Sequence, residues 1–160
     1  MTDHDVHGCG RTGSRMALIF ASLGLIVAIA YMSRLMGIED LLNPRVLVGP
    51  IGAGVLGLFV AAAFLGRKTG AFLCERGNTT SLAIAGGLFV AFGSISIAVF
   101  VGSFCTLIGI AFLTGISFDD FFTYLVLPQI LVGMFGSIPA TVLAVVYGFL
   151  LRSGLRKLKT

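Results

Sequence analysis

The sequence predicts an all-α integral membrane protein, a four-transmembrane-helix bundle with both termini cytoplasmic (N-in/C-in) and with long third and fourth helices. Three observations carry that prediction. Four apolar runs, Met16 to Met36, Val46 to Gly66, Leu82 to Gly115 and Phe121 to Leu151, each hold at most one charge, placed near an end. A bilayer core about 30 Å thick is crossed by about 20 apolar residues in helix, and every run reaches that length. The composition, 57% hydrophobic against 11% charged, leaves too little polar surface to solvate a soluble globule. The cations also alternate along the chain. Arg11 and Arg15 precede the first run, Arg67, Lys68 and Arg76 follow the second, and Arg152, Arg156, Lys157 and Lys159 follow the fourth. Lys and Arg near span ends stay on the cytoplasmic side, which sets the orientation and suits a bacterial inner membrane.

Residues 1–15 read as a flexible cytoplasmic tail, followed by one four-helix domain over 16–160. The tail places His4, His7 and Cys9 close together, but a glycine-rich end supplies neither a fourth fixed ligand nor a second shell, so no metal site is expected. The first run, with Arg11 and Arg15 before it and small residues at Ala28 to Ala30, also admits reading as a cleavable signal peptide. Its apolar continuation to Met36 favours a retained span. The second run carries Gly49, Ala53 and Gly57 at four-residue spacing, and Arg67 to Ser81 is expected as the loop after it. The third carries Ser94, Ala98, Gly102 and Thr106 in the same register, with Gly109 further on. The fourth carries Gly136, Ala140, Ala144 and Gly148, beside a second row of Gly133, Ser137 and Thr141. Apolar surface gives helices no reason to associate in lipid, so such small-residue rows mark close helix packing, within the chain or between copies. Their surplus points to a homo-oligomer. A helical run of about 30 residues measures about 45 Å, so the long third and fourth helices tilt, project or break, and Pro128 and Pro139 are the expected kink points.

Chemistry is sparse. The span centres hold no ionisable group, and no paired carboxylates, Cys/His cluster or nucleophile with a nearby base can be assembled. Neither an enzyme nor a cofactor is expected, and basic residues divided among three juxtamembrane segments would meet lipid headgroups rather than nucleic acid. Asp119 and Asp120 are read as the N-cap of the fourth helix. Cys9 and Cys74 fall on the predicted cytoplasmic side and Cys105 within a span, so no disulfide framework is implied. Tyr31 and Tyr124 are placed at the outer interface and Tyr147 at the inner one. The polar groups at depth are hydroxyls and one amide: Ser94, Ser96, Ser103, Thr106, Thr123, Gln129, Ser137 and Thr141. They either bond to the carbonyl one turn back or line a polar path.

The segment GSFCTLIG, Gly102 to Gly109, resembles the glycine-threonine segment in the third membrane helix of MotA-type stator proteins and its counterpart in TolQ and ExbB. The stretch SIPATVLAVVYGFLLRSGLRKLK, Ser137 to Lys159, is similar to the last helix of that family, and NPRVLVGPIGAGVLGLFVAAAF is similar to the second helix of its flagellar branch. The resemblance implies a proton channel, a ring of subunits around a single-span partner that carries the titrating aspartate. It further implies that Thr106 faces the pore, that Ser137, Pro139 and Thr141 line the opposite wall, and that Gly102 and Gly109 permit close helix approach. Two features depart from the family. Its large cytoplasmic region between helices two and three shrinks here to Arg67 to Ser81, and Ile130 stands where the Tol and Ton branches have a threonine nine residues before the proline. The alternative function is a non-conducting structural or assembly subunit of a larger membrane complex, which the absence of titratable groups at depth supports.

Overall fold

Each apolar run folds as a long helix, because within lipid only a helix or a closed barrel satisfies every backbone donor and acceptor. The computed structural model describes residues 3–36, 51–76, 79–115 and 117–157, and among them all regular structure is helical. Helix α1 spans Asp3–Met36, α2 Gly52–Arg76 and α3 Thr80–Thr114; a single turn, α4, spans Phe118–Phe121, a π-helical segment follows at Phe122–Val126, and α5 spans Leu127–Lys157. Four stretches are long and apolar enough to cross a membrane: Val6–Ala30, Gly52–Arg76, Thr80–Phe112 and Gly136–Leu155.

Three boundaries differ from the sequence reading. Helix α1 begins at Asp3, so the segment read as a flexible tail is helical, and Cys9, Gly10 and Gly13 within it are buried. Helix α2 runs through Arg67 and Lys68 to Arg76, and α3 starts at Thr80, so most of the expected loop is helix. A charge ends a membrane span without ending a helix, which is free to project into the headgroup region. The first helix, at 34 residues, is therefore as long as the third, at 35.

The ends are capped by local chemistry. Thr79 has extended backbone, and its side chain accepts from the Leu82 amide at 3.4 Å, which opens α3. Gly115 closes it at φ 82°, a conformation open to glycine, with its amide donating to the Ala111 carbonyl. The next start belongs to Ser117 rather than to the aspartates. Its hydroxyl accepts from the Asp120 amide at 3.1 Å, and the Asp120 carboxylate accepts from the Ser117 amide at 3.0 Å and hydroxyl at 2.7 Å, a reciprocal capping box. Those bonds from Ser117 hold the Asp120 carboxyl below its ordinary value. The cap is thus complete above the usual carboxylate range and weakens as pH falls through the lowered one. Pro128 follows the π-helical segment, in which the Leu127 amide reaches back to Phe122, and Pro139 lies inside α5, which continues through it.

The helices pack in chain order, α1 on α2, α2 on α3 and α3 on α5, with α1 and α5 closing the ring. The core lies at the end rich in cations. There Leu73, Leu151 and Leu155 are fully buried, joined by Cys9, Cys74, Ala83 and Tyr147. Tyr147 is therefore a core residue and not part of an interfacial belt: its hydroxyl donates to the Gly13 carbonyl at 3.3 Å and its ring meets Phe20 edge-on at 5.5 Å. Arg152 donates to the Thr80 hydroxyl and ties α5 to the start of α3. Toward the far end the side chains turn outward, and Ile26, Phe112 and Ile138 are 62%, 87% and 75% exposed.

Cys9 and Cys74 are bonded to each other, with Cα atoms 6.4 Å apart, across a separation of 65 residues. This corrects the expectation of no disulfide. Nothing local marks the pairing; it follows from the close approach of α1 to α2 just beside it. A Cβ on Gly70 would lie 2.4 Å from the Cys9 carbonyl, and one on Gly13 would lie 2.2 Å from the Gly66 carbonyl.

Ser94 is buried, and its hydroxyl has no hydrogen-bond partner. An unpaired buried hydroxyl carries a desolvation cost with no return. Ser94→Ala is expected to leave thermal stability in detergent unchanged or raise it by about 1 kcal/mol. A loss of that size would show that the hydroxyl is bonded.

Candidate helix-packing and hydroxyl site

The small-residue rows divide into those the bundle uses and those it leaves facing outward. On α2, Gly54 and Gly57 meet α3: a Cβ on Gly54 would lie 3.2 Å from the Ala98 carbonyl and 3.7 Å from the Gly102 Cα, and one on Gly57 would lie 3.3 Å from the Val101 Cβ and 3.5 Å from the Ala98 Cα. Ala98 and Gly102 thus lie in the α2–α3 seam, as does Gly57. Ala53 is half-buried. Gly49 lies outside the described residues. On α5, Ala140 and Ala144 are buried, and a Cβ on Gly148 would lie 2.6 Å from the Ala83 carbonyl. Among the described residues, Gly109 has nothing within 4 Å of such a Cβ and Gly136 meets only Val132 of its own helix, so neither carries a contact with another described helix.

One seam, and the α3 side of another whose α5 side is the row of Ala144 and Gly148, escaped the sequence reading. Gly13 and Ala17 of α1 interlock with Gly66 and Gly70 of α2, where a Cβ on Gly66 would lie 2.5 Å from that of Ala17. On α3, Gly87 sits against the Ala144 carbonyl, 2.3 Å from where its Cβ would be. The signal was present as four-residue spacing from Gly13 to Ala17 and from Gly66 to Gly70. It fell at the edges of segments read as tail and loop.

The hydroxyls proposed for a pore separate in the same way. Thr106 is half-buried and borders an open cleft of about 390 Å³ between the far halves of the helices, where Leu25, Val55, Leu58, Val99 and Pro128 give it an apolar lining. Its hydroxyl donates to the Gly102 carbonyl of its own helix at 3.0 Å. Ser137 and Thr141 do likewise, to Met134 at 3.3 Å and to Ser137 at 2.7 Å. Pro139 and Thr141 are exposed, and none of Ser137, Pro139 and Thr141 borders the cleft. The Gln129 amide donates to the Ser96 carbonyl at 3.2 Å and so links α5 to α3. Ser103 and Tyr124 also border the cleft.

The sequence matches no protein-family model, and neither a curated protein nor a solved structure matches the chain.

Proposed function

We propose that this chain is a non-conducting structural or assembly subunit of a larger membrane complex, with both termini on the cytoplasmic side of a bacterial inner membrane. The observation that carries this reading is the bonding of the three pore-candidate hydroxyls. Thr106, Ser137 and Thr141 each donate to a carbonyl of their own helix, and the cleft beside Thr106 is lined mainly by apolar side chains. Such hydroxyls adjust a helix locally and offer no continuous donor-acceptor chain for a proton. The orientation rests on the cations gathered at the packed end. Lipid, further copies of the chain and a single-span partner are the neighbours for its outward faces.

A second reading, a stator-like proton-channel subunit of the MotA, TolQ and ExbB type, is favoured by one observation. Pro139 and Thr141 face away from their own bundle, where in a ring of copies they would meet a partner helix.

Thr106→Val separates the two, since it removes the hydroxyl while keeping the branched shape. For the structural subunit, the complex recovered from native membranes in mild detergent keeps its composition by native mass spectrometry, and proton flux in reconstituted vesicles is unchanged. The lost local bond costs at most about 1 kcal/mol. Abolished flux with intact assembly overturns this reading in favour of the channel, and recovery of the wild type as a lone monomer overturns both.

A further inference from the structure

We infer that the groove between the first turns of α1 and the last turns of α2 binds the phosphate of an anionic phospholipid. The groove encloses about 350 Å³ and is bordered by His7 and Gly10 of α1 and by Phe64, Arg67, Lys68 and Ala71 of α2. Two permanent cations and an imidazole converge there, and among the described residues no acidic side chain borders it. Of the acidic residues near it in sequence, Glu75 lies one turn beyond Ala71 on α2 and is exposed, and Asp3 and Asp5 precede Val6 on α1.

Its two sides differ in chemistry, and the difference runs along the membrane normal. Phe64 is 59% exposed and belongs to the apolar run, while Arg67 and Lys68 lie one turn nearer the packed end. One helical turn is about 5 Å, close to the step from the first acyl carbons of a phospholipid to its phosphate. The Lys68 ammonium stands 5.8 Å from the centre of the Phe64 ring, a cation–π contact that keeps it above the apolar surface. Arg67 is placed from the other wall. A Cβ on Gly10 would lie 3.2 Å from the Arg67 Cγ and 3.4 Å from its carbonyl, so glycine lets the arginine stem rest on the α1 backbone and leaves the guanidinium for a phosphate. The adjoining Gly13–Gly66 seam holds the two helices at close separation, with Cys9 and Cys74 meeting beside it. The groove is therefore built, and not a transient meeting of surface charges.

Position selects a lipid over free phosphate. The cations stand where the apolar run ends, at the level where lipid phosphates lie, and the Phe64 ring offers surface to a glycerol backbone and acyl chain but nothing to an inorganic ion.

The test is native mass spectrometry of the full chain in mild detergent with phosphatidylglycerol and phosphatidylcholine supplied in equal amounts. The expected result is retention of phosphatidylglycerol over phosphatidylcholine by about tenfold or more, the scale two interfacial cations contribute. The double variant Arg67→Gln, Lys68→Gln is expected to lose that preference, and Arg15→Gln, an exposed cation of α1 outside the groove, to keep it. Equal losses in both variants would mean diffuse attraction to the basic end and would overturn the site. Displacement of the lipid by excess inorganic phosphate would assign the groove to the free ion and overturn the lipid. Circular dichroism melts of the variants, whose altered side chains are exposed, are expected to match the wild type; a double variant that melts early is replaced by the single variants Arg67→Gln and Lys68→Gln, each expected to lose part of the preference, and full retention in both would overturn the site.

Discussion

Gly87→Leu is expected to detach α5 from α3 and to unfold the packed end of the bundle. A Cβ at Gly87 would stand 2.3 Å from the Ala144 carbonyl oxygen and 3.3 Å from the Gly148 amide nitrogen, and from the other side one at Gly148 would stand 2.6 Å from the Ala83 carbonyl. The obstructing atoms are backbone, so no rotamer change relieves the overlap. The helices must move apart along the seam. In lipid that seam has no hydrophobic drive to restore it, only dispersion contacts that fall steeply with distance and the polar links that need the same spacing. Two such links depend on α5 directly, from Tyr147 to Gly13 and from Arg152 to Thr80. Overpacking a tight core costs about 1–3 kcal/mol and occasionally more, and this site belongs at the upper end of that range. Thermal unfolding in mild detergent, followed by circular dichroism and size-exclusion profile, measures the loss. Gly109→Leu is the control: a Cβ there meets none of the described residues within 4 Å, and its stability is expected to stay within about 0.5 kcal/mol of the wild type. Equal stability of the two variants would remove the α3–α5 seam from the account.

Much of this architecture is legible in the residues because lipid imposes a simple rule. An apolar run long enough to cross must be helix, and the four runs from Met16, Val46, Leu82 and Phe121 each contain or overlap a described span. Where helices start and stop obeys different chemistry. Arg67 and Lys68 mark the edge of the apolar run but not of α2, and the glycine-rich segment before Met16 is helical where Gly13 fits against Gly66 and Gly70 and Gly10 against Arg67. Tertiary contact outweighs the low helix propensity of glycine there. The row of Ala98 and Gly102 is readable from spacing alone, since both faces of that seam carry small residues. Gly109 and Gly136 share the spacing and yet touch no other described helix, because spacing gives a face and not what lies opposite it. For the hydroxyls of Thr106, Ser137 and Thr141, the residue type permits both a lined path and a bond to the preceding turn. In the structure all three donate to a carbonyl of the preceding turn.

The bond between Cys9 and Cys74 makes a further expected result, with a consequence for orientation. The chain has three cysteines, and Cys105 is free. Protein purified without reductant, denatured and treated with a maleimide polymer is expected to gain one adduct, and three after reduction. Cys74→Ser should gain two in either case. Closing a loop between residues 65 apart limits the unfolded chain by about 4 kcal/mol in the chain-entropy account, an upper value here because membrane helices persist on unfolding. Reduction should therefore lower the thermal midpoint clearly while leaving helix content unchanged, since the α1–α2 glycine seam remains. Both sulfurs belong to buried residues, 3% and 2% exposed, so the native protein should resist mild reductants that act at once on the denatured chain. In the living cell two rules oppose each other at this spot. The proposed orientation puts the pair on the cytoplasmic side, where the compartment keeps thiols reduced, whereas a permanent bridge belongs to an oxidising one. Under the proposed orientation, cells quenched with acid and alkylated at once are expected to yield mainly the dithiol, with the bridge forming on isolation in air. A pair already bonded in the quenched cells would instead place the basic end outside, against the cation rule, and would move the lipid-binding groove to the opposite leaflet.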